Sequence, residues 1–335
     1  MKAQVRTIGI ILTFQCNAQC RMCCFECGPD RKEQIPTSVV ERVIKEAATH
    51  RSNGYASLKT IAFSGGEPFL RYQDLLKFVG MAHDFEFESS CTTNCFWAKT
   101  PADAERIVAE LCDAGLTKLS ISADRFHGEY IPVKNVANVL RAAKKHDLPC
   151  DIGSIITHSE CDLGDMFSEL GELLIGVRHI VAPCLPVGSA AKHIESSDYI
   201  YDPTVAKKNG HCSDLSMIAI YPDGEAYPCC SQMGRIEAFR LGNVFQDEIG
   251  DLCKRYHSNM LVRIAAKHGI GHFVKLAKQV GHRDFESESY IGVCDLCYRV
   301  FSDTEFIKKL EPYLESYRRD VYAKYLRSIE GEQTV

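Results

Sequence analysis

The 335-residue sequence contains no apolar run approaching the ~20 residues that cross a membrane, so no membrane partner is expected. It also has little net charge. Its 39 Lys and Arg against 44 Asp and Glu leave −5, with no Lys/Arg block, a balance that offers no electrostatic footprint for nucleic acid or a membrane surface. The opening stretch Met1-Lys-Ala-Gln-Val-Arg-Thr-Ile-Gly-Ile-Ile-Leu12 is too short for a signal sequence with its cleavage site. It is expected to form a first β-strand instead. No internal repeat or low-complexity segment is visible, and the length suits one large domain or two of ordinary size.

What the chain has in abundance is cysteine, 17 residues of it. In a large chain without an export signal such cysteines belong to a reducing cytoplasm rather than to a disulfide framework. Three of them stand in Cys16-Asn-Ala-Gln-Cys20-Arg-Met-Cys23, a C-x3-C-x2-C spacing that supplies three thiolates and no fourth. A 4Fe-4S cluster takes four ligands. Held by three, it keeps one iron open to a small chelating molecule, whereas cysteine alone is also compatible with zinc or with packed thiols. A second motif follows at the distance of one βα unit, where Ile61-Ala-Phe63 leads into Ser64-Gly65-Gly66-Glu67-Pro68. Glycine lets backbone approach a ligand closely, proline stiffens the turn, and the turn's carbonyls can accept from an ammonium group.

Strand-like segments near 5–12, 58–63, 87–93, 117–123, 150–157 and 177–183 alternate with helix-like segments near 37–50, 72–84, 101–114, 134–146 and 163–174. This alternation predicts an α/β fold with a parallel sheet, as a partial (β/α)6 TIM-like barrel whose ligands sit at the C-terminal ends of the strands. Asn94, Ser122 and Asp124 are polar residues at such ends, and Pro186-Val-Gly-Ser-Ala-Ala191 forms a small-residue turn after the last strand. Polar, irregular sequence from 192 to Asn209-Gly210 suggests a boundary, with residues 1–205 as the barrel and 206–335 as a smaller cysteine-rich domain with helices. That second part begins with His211-Cys212 and continues with Met217–Tyr221, a Pro222-Asp-Gly224 turn and Glu225-Ala-Tyr-Pro-Cys229-Cys230, the pattern of a β-hairpin. Cys294-Asp-Leu-Cys297 follows downstream. Cys212, one of Cys229 and Cys230, and the pair Cys294 and Cys297 can supply four thiolates, enough for a closed cluster and equally for zinc. Successive side chains of an extended chain face opposite ways. One thiol of the Cys229-Cys230 pair is thus left over to face the barrel mouth, where it could donate a hydrogen atom to a carbon radical. Cys24 and Cys27 read as packed thiols near the first motif, and Cys91, Cys95, Cys112, Cys150, Cys161, Cys184 and Cys253 as small core residues.

The triad with Gly65-Gly66-Glu67-Pro68 resembles the radical S-adenosylmethionine (SAM) superfamily, and the C-terminal constellation resembles SPASM and twitch auxiliary-cluster domains. The likeness is closest to radical SAM epimerases acting on ribosomally made peptides, through Cys16-Asn-Ala-Gln-Cys-Arg-Met-Cys-Cys-Phe25, Asn94-Cys-Phe-Trp97, His211-Cys212, Asp223-Gly-Glu-Ala-Tyr-Pro-Cys-Cys-Ser231 and Cys294-Asp-Leu-Cys297. The resemblance implies that Cys16, Cys20 and Cys23 hold a 4Fe-4S cluster whose open iron takes SAM. It implies that Gly65, Gly66, Glu67 and Pro68 receive the SAM amino group, that Asn94, Ser122 and Asp124 contact its carboxylate and ribose, and that Phe25 lies close by. The 186–191 turn would lie beside the adenine. It further implies an auxiliary 4Fe-4S cluster on Cys212, Cys229, Cys294 and Cys297, with Cys230 as the hydrogen donor. The expected chemistry is abstraction of a peptide Cα hydrogen by the 5'-deoxyadenosyl radical and its replacement from the opposite face. The expected partners are a ribosomally made precursor peptide and an external electron donor such as flavodoxin or ferredoxin. One departure stands out. That family carries an acid shortly after the first auxiliary cysteine, but here the spacing from Cys212 to Cys229 is one residue longer and the aligned places hold Ser216 or Met217, leaving Asp214 as the nearest acid. Alternatives are peptide crosslinking through a thioether, carbon–carbon bond or cyclopropane, a small-molecule radical SAM enzyme, or a zinc-dependent redox-sensing module.

Overall fold

The computed structural model describes residues 4–52, 57–208, 210, 212 and 215–332. Six parallel strands, β1 (Thr7–Ile11), β2 (Thr60–Ser64), β3 (Glu88–Thr93), β4 (Lys118–Ser122), β5 (Cys150–Ile156) and β6 (Arg178–Pro183), form one sheet in sequence order. The crossovers are α1 (Thr37–Ser52), α2 (Tyr72–Asp84), α3 (Pro101–Asp113), α4 (Val133–Lys145) and α5 (Gly164–Leu170). All eleven sequence expectations find an element within a few residues. The helices start where local chemistry stops the strands: Thr100 caps α3 through its side chain to Asp103 N, with Pro101 at the first helical position, where its missing N–H costs nothing. Each buries one apolar stripe, as with Leu75, Phe78, Val79 and Ala82 of α2, against strand residues such as Ile61 and Phe63. The result is the α/β partial barrel expected.

The cysteine-rich part is tied into that sheet. Its hairpin, β7 (Met217–Ile220) and β8 (Glu225–Tyr227), lays β7 parallel to β1 with Ile8 opposite Ile218 and Ile10 opposite Ile220. A short β9 (Gly242–Asn243) pairs with β8, so the nine-stranded order is β6-β5-β4-β3-β2-β1-β7-β8-β9. Gly224, at φ 80°, closes the hairpin turn with its N–H on Tyr221 O at 2.8 Å. Among the described residues, five α-helices follow: α6 (Ile249–Ser258), α7 (Met260–His268), α8 (Gly271–Gln279), α9 (Val293–Phe301) and α10 (Thr304–Glu332). Their interior is aromatic, with the Phe301 ring 4.8 Å from Phe239 and 4.7 Å from Phe273. Among the described residues, no helix is long and apolar enough to cross a membrane.

Candidate active site

Past β1 the chain makes an excursion carrying the three-cysteine motif and returns to its own base. Phe14 N bonds Glu33 O at 2.9 Å, Ile35 N bonds Leu12 O at 3.0 Å and Cys16 N bonds Gly28 O at 3.1 Å. Arg71 holds the root, donating to Leu12 O at 3.1 Å and Ile35 O at 2.7 Å. The Gly65-Gly66 turn docks on this excursion: Gly66 N bonds Thr13 O at 2.7 Å and Glu67 N bonds Gln15 O at 2.9 Å. A Cβ on Gly66 would lie 2.1 Å from Gln15 O, so glycine is needed for backbone to meet backbone here. The two sequence motifs are therefore one structural unit. The 186–191 turn joins them, since Ser189 N bonds Cys23 O at 2.9 Å and a Cβ on Gly188 would lie 2.3 Å from Cys24 O.

These elements enclose a cavity of about 310 Å³ at the C-terminal ends of the strands. Cys16, Cys20, Cys23, Phe25, Gly65, Gly66, Asn94 and Ser122 all line it. Asn94 reaches across to Cys16, its Nδ2 lying 3.7 Å from Cys16 Sγ and 3.0 Å from Asn17 Oδ1. Glu67 and Asp124 sit one layer behind. The Glu67 carboxylate is fully buried and accepts from Phe69 N at 3.1 Å, Thr93 Oγ1 at 3.0 Å and Asn94 N at 2.8 Å, so it fastens the end of β3 to the turn. Burial pushes its pKa up to about 7 in spite of those donors. Pro68 opens the helical turn that Glu67 caps. Asp124 caps the next turn through His127 N at 2.9 Å, and its other oxygen meets His127 Nδ1 at 2.9 Å and Ile155 N at 3.0 Å. Burial works to raise its pKa, but the His127 and backbone bonds outweigh that and lower it. His127, not Asp124, faces the cavity. The one-turn spacing Asp124-Arg-Phe-His127 was the signal available in the sequence.

The thiols fit a cationic cluster. Burial pushes Cys16 up to about 12 and Cys20 higher still. Both would hold their protons unless a metal ionised them, as a coordinated thiol is ionised. Cys23 differs, held down at about 6 chiefly by the Cys27 thiol, against burial, with Cys27 N also donating to Cys23 Sγ at 3.4 Å. Cys27 is itself buried and is the second residue that sequence reasoning left without a role.

A second small, apolar cavity is lined by Cys212, Cys229, Cys294 and Cys297 together, the four thiolates a closed cluster requires. Cys294 and Cys297 stand on α9, where buried Asp295 accepts from Ile291 N at 3.1 Å and Arg299 Nε at 2.9 Å and so sets the helix start. Cys229 is buried, and the hydrogen bond between its thiol and that of the adjoining Cys230, together with burial, keeps its pKa high. Cys230 is exposed and does not line this cavity. Its carbonyl accepts from Tyr221 Oη at 3.2 Å, and the Tyr221 ring meets Phe25 edge-on at 6.0 Å. Burial raises the pKa of Cys24, and the Cys23 and Cys230 sulfurs add to it, which puts Cys230 near a residue that lines the first cavity. Asp214 lies outside the described residues. Of the cysteines read as core, Cys91, Cys95, Cys184 and Cys253 are buried whereas Cys161 is exposed; no pair forms a disulfide.

Comparison with known proteins matches two segments of the chain. Residues 10–169 match the radical SAM superfamily, and residues 212–298 match the SPASM iron–sulfur cluster-binding domain, a span that takes in all four cysteines of the second cavity. The putative peptide biosynthesis protein YydG of Bacillus subtilis (strain 168) is 24% identical over 317 residues, covering 93% of this chain and 97% of its own length. Among solved structures, Streptococcus suis SuiB bound to precursor peptide SuiA superposes with a TM-score of 0.56 at 15% identity, over 82% of this chain and 73% of SuiB. The protein anSMEcpe with bound AdoMet and Cp18Cys peptide superposes at 0.55 and 14% identity, over 94% of this chain and 99% of its own.

Proposed function

The chain carries a radical SAM domain followed by a SPASM domain, and on that premise we propose that it modifies a ribosomally made peptide by inverting an L-residue to its D-form. Both domains imply their cofactors: SAM with a 4Fe-4S cluster in the first, an auxiliary cluster in the second. When bound and reduced by an external donor, the first cluster and SAM supply a carbon radical able to take a hydrogen atom from a peptide Cα. The protein's part is to hold and orient. Cys16, Cys20 and Cys23 would hold the cluster, the carbonyls of the Gly65–Pro68 turn would accept from the SAM amino group, and Asn94 and Ser122 would present polar groups to the rest of SAM. His127 would add a ring nitrogen, set by its bond to Asp124.

The observation that favours inversion is the different placement of two adjacent cysteines: Cys229 lines the four-cysteine cavity, while Cys230, whose thiol meets that of Cys229, is exposed near Cys24. On this reading the Cys230 S–H bond breaks as a new C–H bond forms on the far face of the substrate carbon. The sulfur radical left behind then needs one electron and one proton from the reducing partner before another turn. Relatives whose names or structures involve peptides, YydG, SuiB and anSMEcpe, agree with a peptide substrate.

The test is a product analysis in deuterated water with the Cys229→Ala and Cys230→Ala variants. Inversion incorporates one deuteron at the altered carbon, because a thiol exchanges with solvent. The Cys230 variant keeps its iron and still releases 5'-deoxyadenosine, but forms little D-residue. The Cys229 variant loses auxiliary iron. A product lighter by two hydrogens, or normal inversion by Cys230→Ala, defeats the proposal in favour of crosslinking or another donor.

A further inference from the structure

β6 ends the sheet, and no strand among the described residues pairs with its outer side. The direction of its backbone groups follows from one bond. Cys184 N donates to Ile156 O at 2.8 Å, so even-numbered residues of this segment turn their N–H and C=O toward β5. By alternation the N–H and C=O of His179 and Val181, and the C=O of Pro183, point outward. Pro183 fits that placement, since proline is tolerated in a sheet where its missing N–H faces away from the ladder.

Natural proteins blunt such an edge with charge, a bulge or a covering segment. Here charge and proline stand only at the ends of the strand, Arg178 and Pro183, and its middle is left apolar and open: Ile180 is 46% exposed, Val181 47% and the preceding Ile175 72%. Ile180 shares the inner face with Ala182, and Ala182, Pro183 and Leu185 line the first cavity. The unpaired edge thus runs directly into the wall of the site where the radical would form.

We propose that the outer edge of β6 docks an extended peptide as an added strand, leading it across the mouth of the SAM cavity. The proposal rests on the peptide-modifying function above and adds where and how the peptide is held. Two outward N–H groups and three outward carbonyls give main-chain recognition that does not depend on peptide sequence. Ile180 and Val181, on opposite faces, favour β-branched or aromatic residues at alternate positions of the ligand. A peptide suits this edge better than a second copy of the chain because the edge is continuous with the cavity, where a substrate residue has to be delivered.

Residue-resolved hydrogen exchange of the anaerobic holoprotein, with and without millimolar acetyl-Val-Thr-Val-Thr-Val-Thr-amide, tests this. The His179 and Val181 amides exchange freely alone and slow by at least about tenfold with peptide, while the Ala182 and Cys184 amides, already bonded to β5, do not change. Val181→Pro removes one outward N–H without touching the ladder and weakens peptide binding by about tenfold, the order of one amide hydrogen bond. Val181→Thr keeps the N–H and keeps the protection. Unaltered exchange at 179 and 181 in the wild type overturns docking at β6, as does protection that exists without peptide and disappears on dilution, the mark of a second copy. The two proposals fail separately: a peptide turned over with an unprotected edge leaves the function standing and removes the docking site, and protection with no peptide altered does the reverse.

Discussion

Replacing Gly188 by alanine tests whether the 186–191 turn locks the cysteine excursion in place. Gly188 sits at φ 62°, and a Cβ there would lie 2.3 Å from Cys24 O, 2.5 Å from Cys24 C and 2.6 Å from Cys23 O. Gly281 provides a matched control, with φ 61° and nothing within 4 Å of an added Cβ. Both variants incur left-handed strain of about 1 kcal/mol. Only Gly188→Ala adds an overlap, and because the obstacle is backbone rather than a flexible side chain it costs about 1–3 kcal/mol more. Urea unfolding of anaerobically prepared proteins should therefore show Gly281→Ala destabilised by about 1 kcal/mol and Gly188→Ala by about 2–4 kcal/mol. Iron content should separate them further, since the segment forced to move carries Cys23. Equal losses of stability with full iron in both would refute the argument that this turn positions the cluster loop.

Cys27→Ala should shift the midpoint potential of the first cluster to more negative values in an EPR-monitored redox titration. A thiol bonded to the Cys23 sulfur favours the reduced, more negative cluster, and its loss removes that help; Cys27→Ser should stay near wild type, and an unshifted alanine variant would dismiss the role. Glu67 predicts a pH dependence of stability. Its pKa rises from the ordinary 4.5 to about 7 on folding, so its contribution is fully present below pH 4.5 and lost as pH rises through 7, by about 3 kcal/mol in all. Glu67→Gln, which cannot titrate, should flatten the decline in stability between pH 5 and pH 8, and parallel slopes for the two proteins would contradict it.

Much of the site was legible in the sequence because ligand spacing is a local property. Three cysteines within eight residues, Cys16 to Cys23, end up around one cavity whatever the rest of the chain does. Gly65-Gly66 announced a close approach, and the structure supplies what is approached, the backbone of Thr13 and Gln15. The six strands and five crossover helices were equally readable, since their apolar periodicities and the Thr100-Pro101 cap act within single elements.

Whatever depended on contacts distant in the chain was decided by tertiary structure. Pairing of β7 with β1 joins residues some two hundred positions apart, and a four-residue apolar run such as Met217–Ile220 carries no mark of which strand it will meet. Asp124 looked like a group that faces a ligand, but its carboxylate is held by His127 and by backbone donors and turned into the wall. Alternation along an extended chain would set the thiols of Cys229 and Cys230 on opposite faces, but the pair lies beyond the end of β8 and the two thiols meet each other. Which of the two turns toward the four-cysteine cavity depends on where α9 brings Cys294 and Cys297, and only the folded chain sets that.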